Sequence, residues 1–154
     1  MIFSIFHAVK GRSPEKTVDQ LVTSVFKLDA DGIIDTFPKE AVNKLKEEGD
    51  WDDEYDDLVS GIESLAQSVG DYVDLEKMCS YKITETKDAT KEEIAEIQED
   101  YDDEGIDVKI KDAKIITVEL TINIPIYGSE TDSEDFVVIK IGNSWYIDPM
   151  NFSL

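Results

Sequence analysis

The longest regular pattern in the chain is an alternation of apolar and polar residues over positions 115–127. Every even position from Ile116 to Ile126 is isoleucine, valine or leucine, whereas the odd positions between them are threonine, glutamate, threonine, asparagine and proline. Side chains of a β-strand point alternately to its two faces, so this period predicts a long strand with one buried face and one solvent-facing face. The buried face offers only aliphatic groups, which cannot do acid–base chemistry.

Shorter strands accompany this one in the predicted sheet. Weak alternation over residues 78–85 predicts a first strand, and residues 136–141 and 144–148 predict the last two. The polar residues 128–134 predict a loop. Gly142 and Asn143 are typical of a two-residue hairpin turn, so the last two strands should be antiparallel neighbours.

Helical periods fill the chain before residue 76. The first helix is predicted to begin at Ser13, a capping hydroxyl that is followed by proline and glutamate. A short helix is predicted near residues 33–37, and longer ones follow over residues 38–49 and 55–69, where apolar residues recur at three- and four-residue steps.

A further helix is predicted after the first strand, because Thr90 and Glu93 have the spacing of a capping box. Its apolar stripe is thin, so we expect it on the surface, ending at Gly105. Helices that precede an antiparallel sheet predict an α+β fold. We expect residues 13–154 to form a single domain and residues 1–12 to be the remnant of a leader or anchor, or a short helix.

The charge of the chain is unusual, since 36 acidic and 15 basic residues give a net charge of −21 at pH 7. Such a surface repels nucleic acids and anionic lipids, so we expect no nucleic-acid partner. It attracts cations or a basic protein, although solubility alone is the simpler interpretation. Carboxylates are densest in residues 47–57 and 99–107, which are either solvated helix ends or the surface on which a partner docks.

The sequence predicts no catalytic, cofactor-binding or metal-ligating residue. Residues 27–35 imitate a calcium-binding loop, but Lys27 and Pro38 occupy the first and twelfth positions, where calcium requires acidic oxygens. His7 is the single histidine and lies before the first predicted helix. The single cysteine, Cys79, lies in a predicted strand and is interpreted as a small buried apolar residue.

Aromatic residues and one aspartate are the best candidates for contact with a ligand or partner. Tryptophan and tyrosine are enriched at interfaces, and some of them lie within the acidic runs. Asp148 and several tyrosines would supply polar groups to a cavity, and Trp145 and Tyr146 should point to opposite faces of the sheet. The alternative for all of them is packing. The candidate residues are Trp51, Tyr55, Tyr81, Tyr101, Tyr127, Trp145, Tyr146 and Asp148.

Three segments resemble the NTF2-like (cystatin-like α+β cone) superfamily. They are S-P-E-K-T-V at 13–18, T-K-E-E-I-A-E-I at 90–97 and G-N-S-W-Y-I-D at 142–148. More narrowly, the chain looks like the domain of unassigned function that is common in Gram-positive lipoproteins and membrane-anchored proteins. The resemblance implies a curved sheet wrapped around helices to leave a cone-shaped cavity. Enzymes of the superfamily place an aspartate, histidine or tyrosine in that cavity, and His7 has no counterpart there.

Taken together, these features favour a non-catalytic binding module for a small apolar molecule in the cone or for a protein. One alternative is a cavity enzyme of the isomerase or dehydratase type, and another is an acidic interaction protein that binds a basic partner. The resemblance implies display outside the membrane of a Gram-positive bacterium, and a cytoplasmic location is the alternative. The exposed sheet face is polar, so we expect a monomer or a weak homodimer.

Overall fold

The computed structural model of this protein describes residues 11–69, apart from the Val69 side chain, and residues 74–152. Residues 1–12 are the segment predicted as a leader, anchor or short helix, and residues 1–10 of it lie outside the described residues. The helices are α1 (Pro14–Phe26), α2 (Ala30–Ile34), α3 (Lys39–Glu48), α4 (Trp51–Val69), α5 (Leu75–Met78) and α6 (Lys91–Asp103). The strands are β1 (Cys79–Asp88), β2 (Ile110–Ile124), β3 (Gly128–Ile141) and β4 (Ser144–Ile147), and a 3-10 turn, Pro149–Asn151, follows them.

This order confirms the predicted α+β class, with helices first and α6 inserted after the first strand. The four strands form a curved antiparallel sheet in the order β1-β2-β3-β4. Within the described ranges, no helix combines the length and the apolarity needed to cross a membrane.

Local capping groups fix the helix ends that the sequence indicates. The Ser13 hydroxyl accepts a hydrogen bond from the Lys16 backbone N–H at 3.2 Å. The Thr90 hydroxyl accepts from the Glu93 N–H at 3.1 Å, and the Glu93 carboxylate accepts from the Thr90 N–H at 2.7 Å. This reciprocal pair confirms the capping box. Asp29, within the segment that imitates a calcium loop, caps α2 by accepting from the Gly32 N–H at 3.1 Å.

The predicted loop at residues 128–134 is wrong, because these residues complete β3. They pair with β2 in a continuous register from Gly128 opposite Ile124 to Phe136 opposite Ile116. Both faces of this half of β3 are exposed, so its side chains are polar on either side and no alternation marks it as a strand. Pairing with β2 provides the backbone hydrogen bonds of this half of β3, and the alternation of residues does not predict that pairing.

Among the described residues, two hydrophobic clusters stabilise the fold, one on each face of the sheet. On one face, α1 packs on the centre of the sheet through buried Val18, Leu21 and Val22, which meet Ile116 and Val118 of β2. On the other face, α6 packs through its own apolar stripe. That second cluster contains Ile97, Tyr101, Ala113 and Ile139, together with Ala41 of α3. The helix expected on the surface therefore also covers the second face of the sheet.

The aliphatic face of β2 is buried only along its first half. Ile116 and Val118 are fully buried, whereas Ile122 and Ile124 are 41% and 37% exposed. Ile126 is fully exposed in the turn that joins β2 to β3. The strand extends beyond the helices that cover it, so the predicted buried face is correct for the proximal half and wrong for the distal half.

The turn at residues 124–127 holds a strained residue. The Tyr127 N–H donates to the Ile124 carbonyl at 3.2 Å, and Ile126 has a φ of +78° at the third turn position. A β-branched side chain is disfavoured in this left-handed conformation, which glycine adopts without strain.

Replacing Ile126 with glycine should therefore raise the free energy of unfolding by about 0.5–1 kcal/mol, since relief of strain outweighs the added chain entropy. Thermal unfolding followed by circular dichroism should show a melting temperature about 1–4 °C higher. Ile124→Gly is the matched control, because it places glycine inside β2 and should destabilise the protein. A lower melting temperature for Ile126→Gly would contradict the assignment of strain.

Candidate functional site

An open groove of about 860 Å³ lies between α3, α4, the C-terminal end of α6 and the residues that follow β4. Its apolar lining is buried or half-buried, apart from the exposed Met150, and its acidic side chains are exposed, so an apolar base is surrounded by carboxylates. The apolar and aromatic lining residues are Ile34, Phe37, Ala41, Val42, Leu45, Trp51, Tyr55, Leu58, Ile106, Pro149, Met150 and Phe152. The acidic ones are Glu48, Glu54, Asp57, Asp100, Asp103 and Glu104. We call this site the acidic groove.

Helical spacing explains how two acidic stretches of sequence contribute to one site. On α4, Trp51, Tyr55 and Leu58 recur at steps of four and three residues and so share one helix face. On α6, Asp100, Asp103 and Glu104 share a face in the last turn by the same rule. The groove thus combines residues from both of the acidic runs identified in the sequence.

Helix α3 lies between these two acidic walls. Its Ala41 belongs to the cluster formed with Ile97 and Tyr101 of α6, and α3 also contacts α4. Lys44 of α3 provides the lysine of the lining, and its ammonium group pairs with the Glu48 carboxylate at 3.1 Å. Among the described residues, six carboxylates line the groove, against the ammonium group of Lys44 and that of Lys46 beside the Trp51 ring, so the electrostatic field in the groove favours a cationic ligand.

Two aromatic side chains of α4 are fixed on the wall of the groove. The rings of Trp51 and Tyr55 lie 5.9 Å apart, and the Lys46 ammonium group lies 4.9 Å from the Trp51 ring centre. The Tyr55 hydroxyl donates to the Asp31 carboxylate at 3.2 Å. The negative charge of Asp31 and this hydrogen bond raise the pKa of Tyr55. Trp51 already holds a cation against its ring, which is the type of contact a basic ligand would make.

Asp148 and Tyr101 form a buried pair beneath the groove. The Tyr101 hydroxyl donates to Asp148 Oδ1 at 3.0 Å. The Met150 N–H donates to the same oxygen at 3.1 Å, and Asn151 Nδ2 donates to Asp148 Oδ2 at 2.6 Å. Burial, and then the nearby Asp148 carboxylate, raise the pKa of Tyr101 well above its usual range. The pair ties α6 to the segment whose Pro149 and Met150 line the groove.

The other four candidate residues lie elsewhere. Tyr81 donates its hydroxyl to Asp19 at 3.0 Å, and Trp145 is buried in the cluster on the α1 face. Tyr146 lies on the opposite face, as the alternation of side chains predicts, with the Arg12 guanidinium 5.5 Å from its ring centre. Tyr127 is exposed at the tip of the β2–β3 hairpin.

Of the eight candidate residues, Trp51 and Tyr55 line the groove, whereas Tyr101 and Asp148 support it from beneath. Tyr101 is fully buried and Asp148 is 1% exposed, so neither offers a surface to a protein partner. Met150 and Phe152 also line the groove, and the sequence does not indicate them, because they follow the last strand without a periodic pattern. Asp100, Asp103 and Glu104 belong to the second acidic run, which was their signal in the sequence.

Within the described part of the chain, no three histidine, cysteine, aspartate or glutamate side chains are grouped so as to hold a metal ion. Comparison of the chain with protein-family models, with curated proteins and with solved structures found no match. The structure alone therefore establishes the fold class, which is an α+β fold with a four-stranded antiparallel sheet.

Proposed function

We propose that this protein is a non-catalytic binding module that holds its ligand in the acidic groove. The observation that carries the proposal is the groove itself, whose volume of about 860 Å³ is combined with a half-buried apolar lining. Ligand sites typically have volumes of about 300–1,000 Å³, with mostly apolar walls and a few polar groups that orient the ligand. Trp51 and Tyr55 provide rigid aromatic surface, and the surrounding carboxylates provide charge.

A function in binding is favoured over proton transfer because Asp148 and its hydrogen-bond partner Tyr101 are closed to solvent. Both carboxylate oxygens of Asp148 already accept hydrogen bonds, and its nearest hydroxyl, on Tyr101, is fully buried. The carboxylates that do reach the groove are exposed to water. Exposed carboxylates lack the desolvation that usually tunes a catalytic acid or base.

Membership of the NTF2-like superfamily is part of the proposal, supported by a curved four-stranded antiparallel sheet that follows a set of helices. We place the ligand in the acidic groove rather than in a cone, because Val18, Leu21 and Val22 of α1 fill the space above the centre of the sheet. Display outside the membrane of a Gram-positive bacterium follows from the resemblance alone and is proposed on that basis.

Filling the groove should weaken binding of an apolar probe. Gly61 of α4 lines the groove, and a β-carbon at this position would meet open space, so we expect the ring of Gly61→Phe to occupy part of the groove. Nile red, an uncharged apolar dye, should bind the unmodified protein and bind Gly61→Phe at least about tenfold more weakly, since the ring occupies its site. Fluorescence titration measures both affinities.

Ser60→Phe is the matched control, because Ser60 is an exposed residue of the same helix that does not line the groove and does not share the helix face of Gly61. It should bind Nile red as the unmodified protein does. Removal of glycine from the middle of α4 should also leave Gly61→Phe at least as stable as the unmodified protein. Equal binding of the dye to all three proteins, or to none, would refute the assignment of the ligand site to the groove.

A further inference from the structure

We infer that the ligand of the acidic groove is a basic amphipathic helix of another protein, with its apolar face on α3 and its basic side chains on the carboxylates of both walls. This inference rests on the proposed function and names the partner for the same site. It commits to a protein segment, because the groove is open and is lined by several elements of the fold.

The arrangement of charge matches the two sides of such a helix. The α6 wall carries Asp100, Asp103 and Glu104, whereas Glu54 and Asp57 lie on α4. The apolar surface of α3 lies between the walls, because α3 packs against both helices. An amphipathic helix has an apolar stripe flanked by polar residues on either side, and basic residues at its flanks would meet carboxylates on both walls.

The carboxylates of α6 are placed where they weaken their own helix. Asp103 is the last residue of α6 and Glu104 caps its C-terminal end, and the last turn contains no basic residue. The helix dipole disfavours negative charge at a C-terminus. Asp100 and Glu104 are also like charges four residues apart, which repel each other on a helix. A basic ligand would relieve both effects, so these acids favour binding over the stability of the free protein.

The charge also selects the class of partner. The six carboxylates that line the groove among the described residues outnumber Lys44 and Lys46, so the groove repels nucleic acid and anionic lipid headgroups. A small organic cation would neutralise only part of this charge and would leave much of the apolar lining uncovered. A basic amphipathic helix would neutralise the carboxylates and also cover the apolar lining, as amphipathic helices do in other hydrophobic grooves.

The test uses a synthetic peptide with leucine on one helical face and lysine on the other. It is titrated into the unmodified protein by isothermal calorimetry at low and physiological salt. The groove variant carries Asp100→Asn, Asp103→Asn and Glu104→Gln together. We expect it to bind the peptide at least about tenfold more weakly, because three close charge contacts are lost. We also expect its melting temperature to rise by about 1–4 °C as the repulsion is removed.

The matched control carries Glu130→Gln, Asp132→Asn and Glu134→Gln, which remove three exposed charges from β3. It has the same net charge as the groove variant, so it should bind the peptide within about twofold of the unmodified protein if the groove is the site. Equal weakening of the two triple variants would show attraction to the overall charge and would overturn the inference. A scrambled peptide of the same composition that binds equally well would overturn it too.

The Nile red titration separates this inference from the proposed function. If the dye binds in a manner that Gly61→Phe blocks but the leucine–lysine peptide does not bind, the partner class is wrong and the binding site stands. If neither probe responds to Gly61→Phe, both fail. If the polyamine spermine displaces the peptide fully at equal concentration, the ligand is a small cation and the inference is overturned.

Discussion

Replacing Ile116 with alanine should lower the free energy of unfolding by about 2–5 kcal/mol, the range for removing a large aliphatic side chain from a packed core. Ile116 is fully buried where α1 meets the sheet, and it packs in one cluster with Val18 and Leu21. The residues of this cluster belong to several helices and strands, so they cannot close the resulting cavity by a simple shift. Because domains are stable by only about 5–15 kcal/mol, the loss would be large. Urea-induced unfolding followed by circular dichroism measures it.

Ile124→Ala is the control for this prediction, since it removes the same atoms from the same face of the same strand. Ile124 is 37% exposed and lies beyond the helices, so the loss should stay below about 1 kcal/mol. Similar losses for the two variants would mean that the distal half of β2 is packed in solution, for example against a second copy of the chain.

The contrast between these two residues shows what the alternation of apolar residues can and cannot predict. The period of two correctly identified β2 as a strand and its aliphatic side as one face. It carries no information about how far the covering helices extend, because that depends on their length and tilt. Ile116 and Ile124 therefore look equivalent in the sequence although only the first is buried.

Features determined by nearby residues were predicted best. The capping groups Ser13 and Thr90 bind backbone N–H groups only three residues away, so their spacing in the sequence is also their geometry in the structure. Strand β3 shows the opposite case. Its polar half becomes a strand only by pairing with β2, and that pairing has no counterpart in the pattern of β3 itself.

The candidate site was predictable in its parts but not as an assembly. Two acidic runs with interspersed aromatic residues were visible in the sequence, and the structure brings members of both runs to one groove. The groove exists because α3 packs between α4 and α6, and helix packing of this kind depends on the whole core. Tyr101 and Asp148 lie 47 residues apart in the chain, and no pattern in the sequence indicates that they bind each other.

Replacing Asp148 with alanine should lower the free energy of unfolding by about 3–5 kcal/mol, because it leaves up to three donors without their acceptor at a buried position. These donors are the Tyr101 hydroxyl, the Met150 N–H and the Asn151 side-chain amide. The change should also release the segment after β4 from α6, which would distort the groove and weaken binding of Nile red. Urea-induced unfolding and dye titration check the two expectations.

Tyr101→Phe separates the hydroxyl contact from the rest of this network. It removes one donor and leaves the other two in place, so we expect a smaller loss of about 1.5–3 kcal/mol, the range for a hydrogen bond to a charged group. In a double-mutant cycle with Asp148→Ala, the double variant should lose less stability than the sum of the two single losses, because both single variants break the same hydrogen bond. Fully additive losses would show that the Tyr101–Asp148 hydrogen bond contributes nothing to stability.

The Tyr101→Phe variant also tests how the stability of the protein depends on alkaline pH. The pKa of Tyr101 is raised in the folded protein, because burial and the adjacent carboxylate oppose ionisation of its hydroxyl. Below the unfolded-state pKa of about 10, both states are protonated and the contribution of the group is fully present. Above that pH only the unfolded state loses the proton, so the folded state loses about 1.4 kcal/mol of stability per pH unit from this group.

The pKa values of Tyr55 and Tyr81 are raised as well. The unmodified protein should therefore lose stability more steeply than Tyr101→Phe between pH 10 and 11, and parallel profiles would contradict a buried, protonated Tyr101.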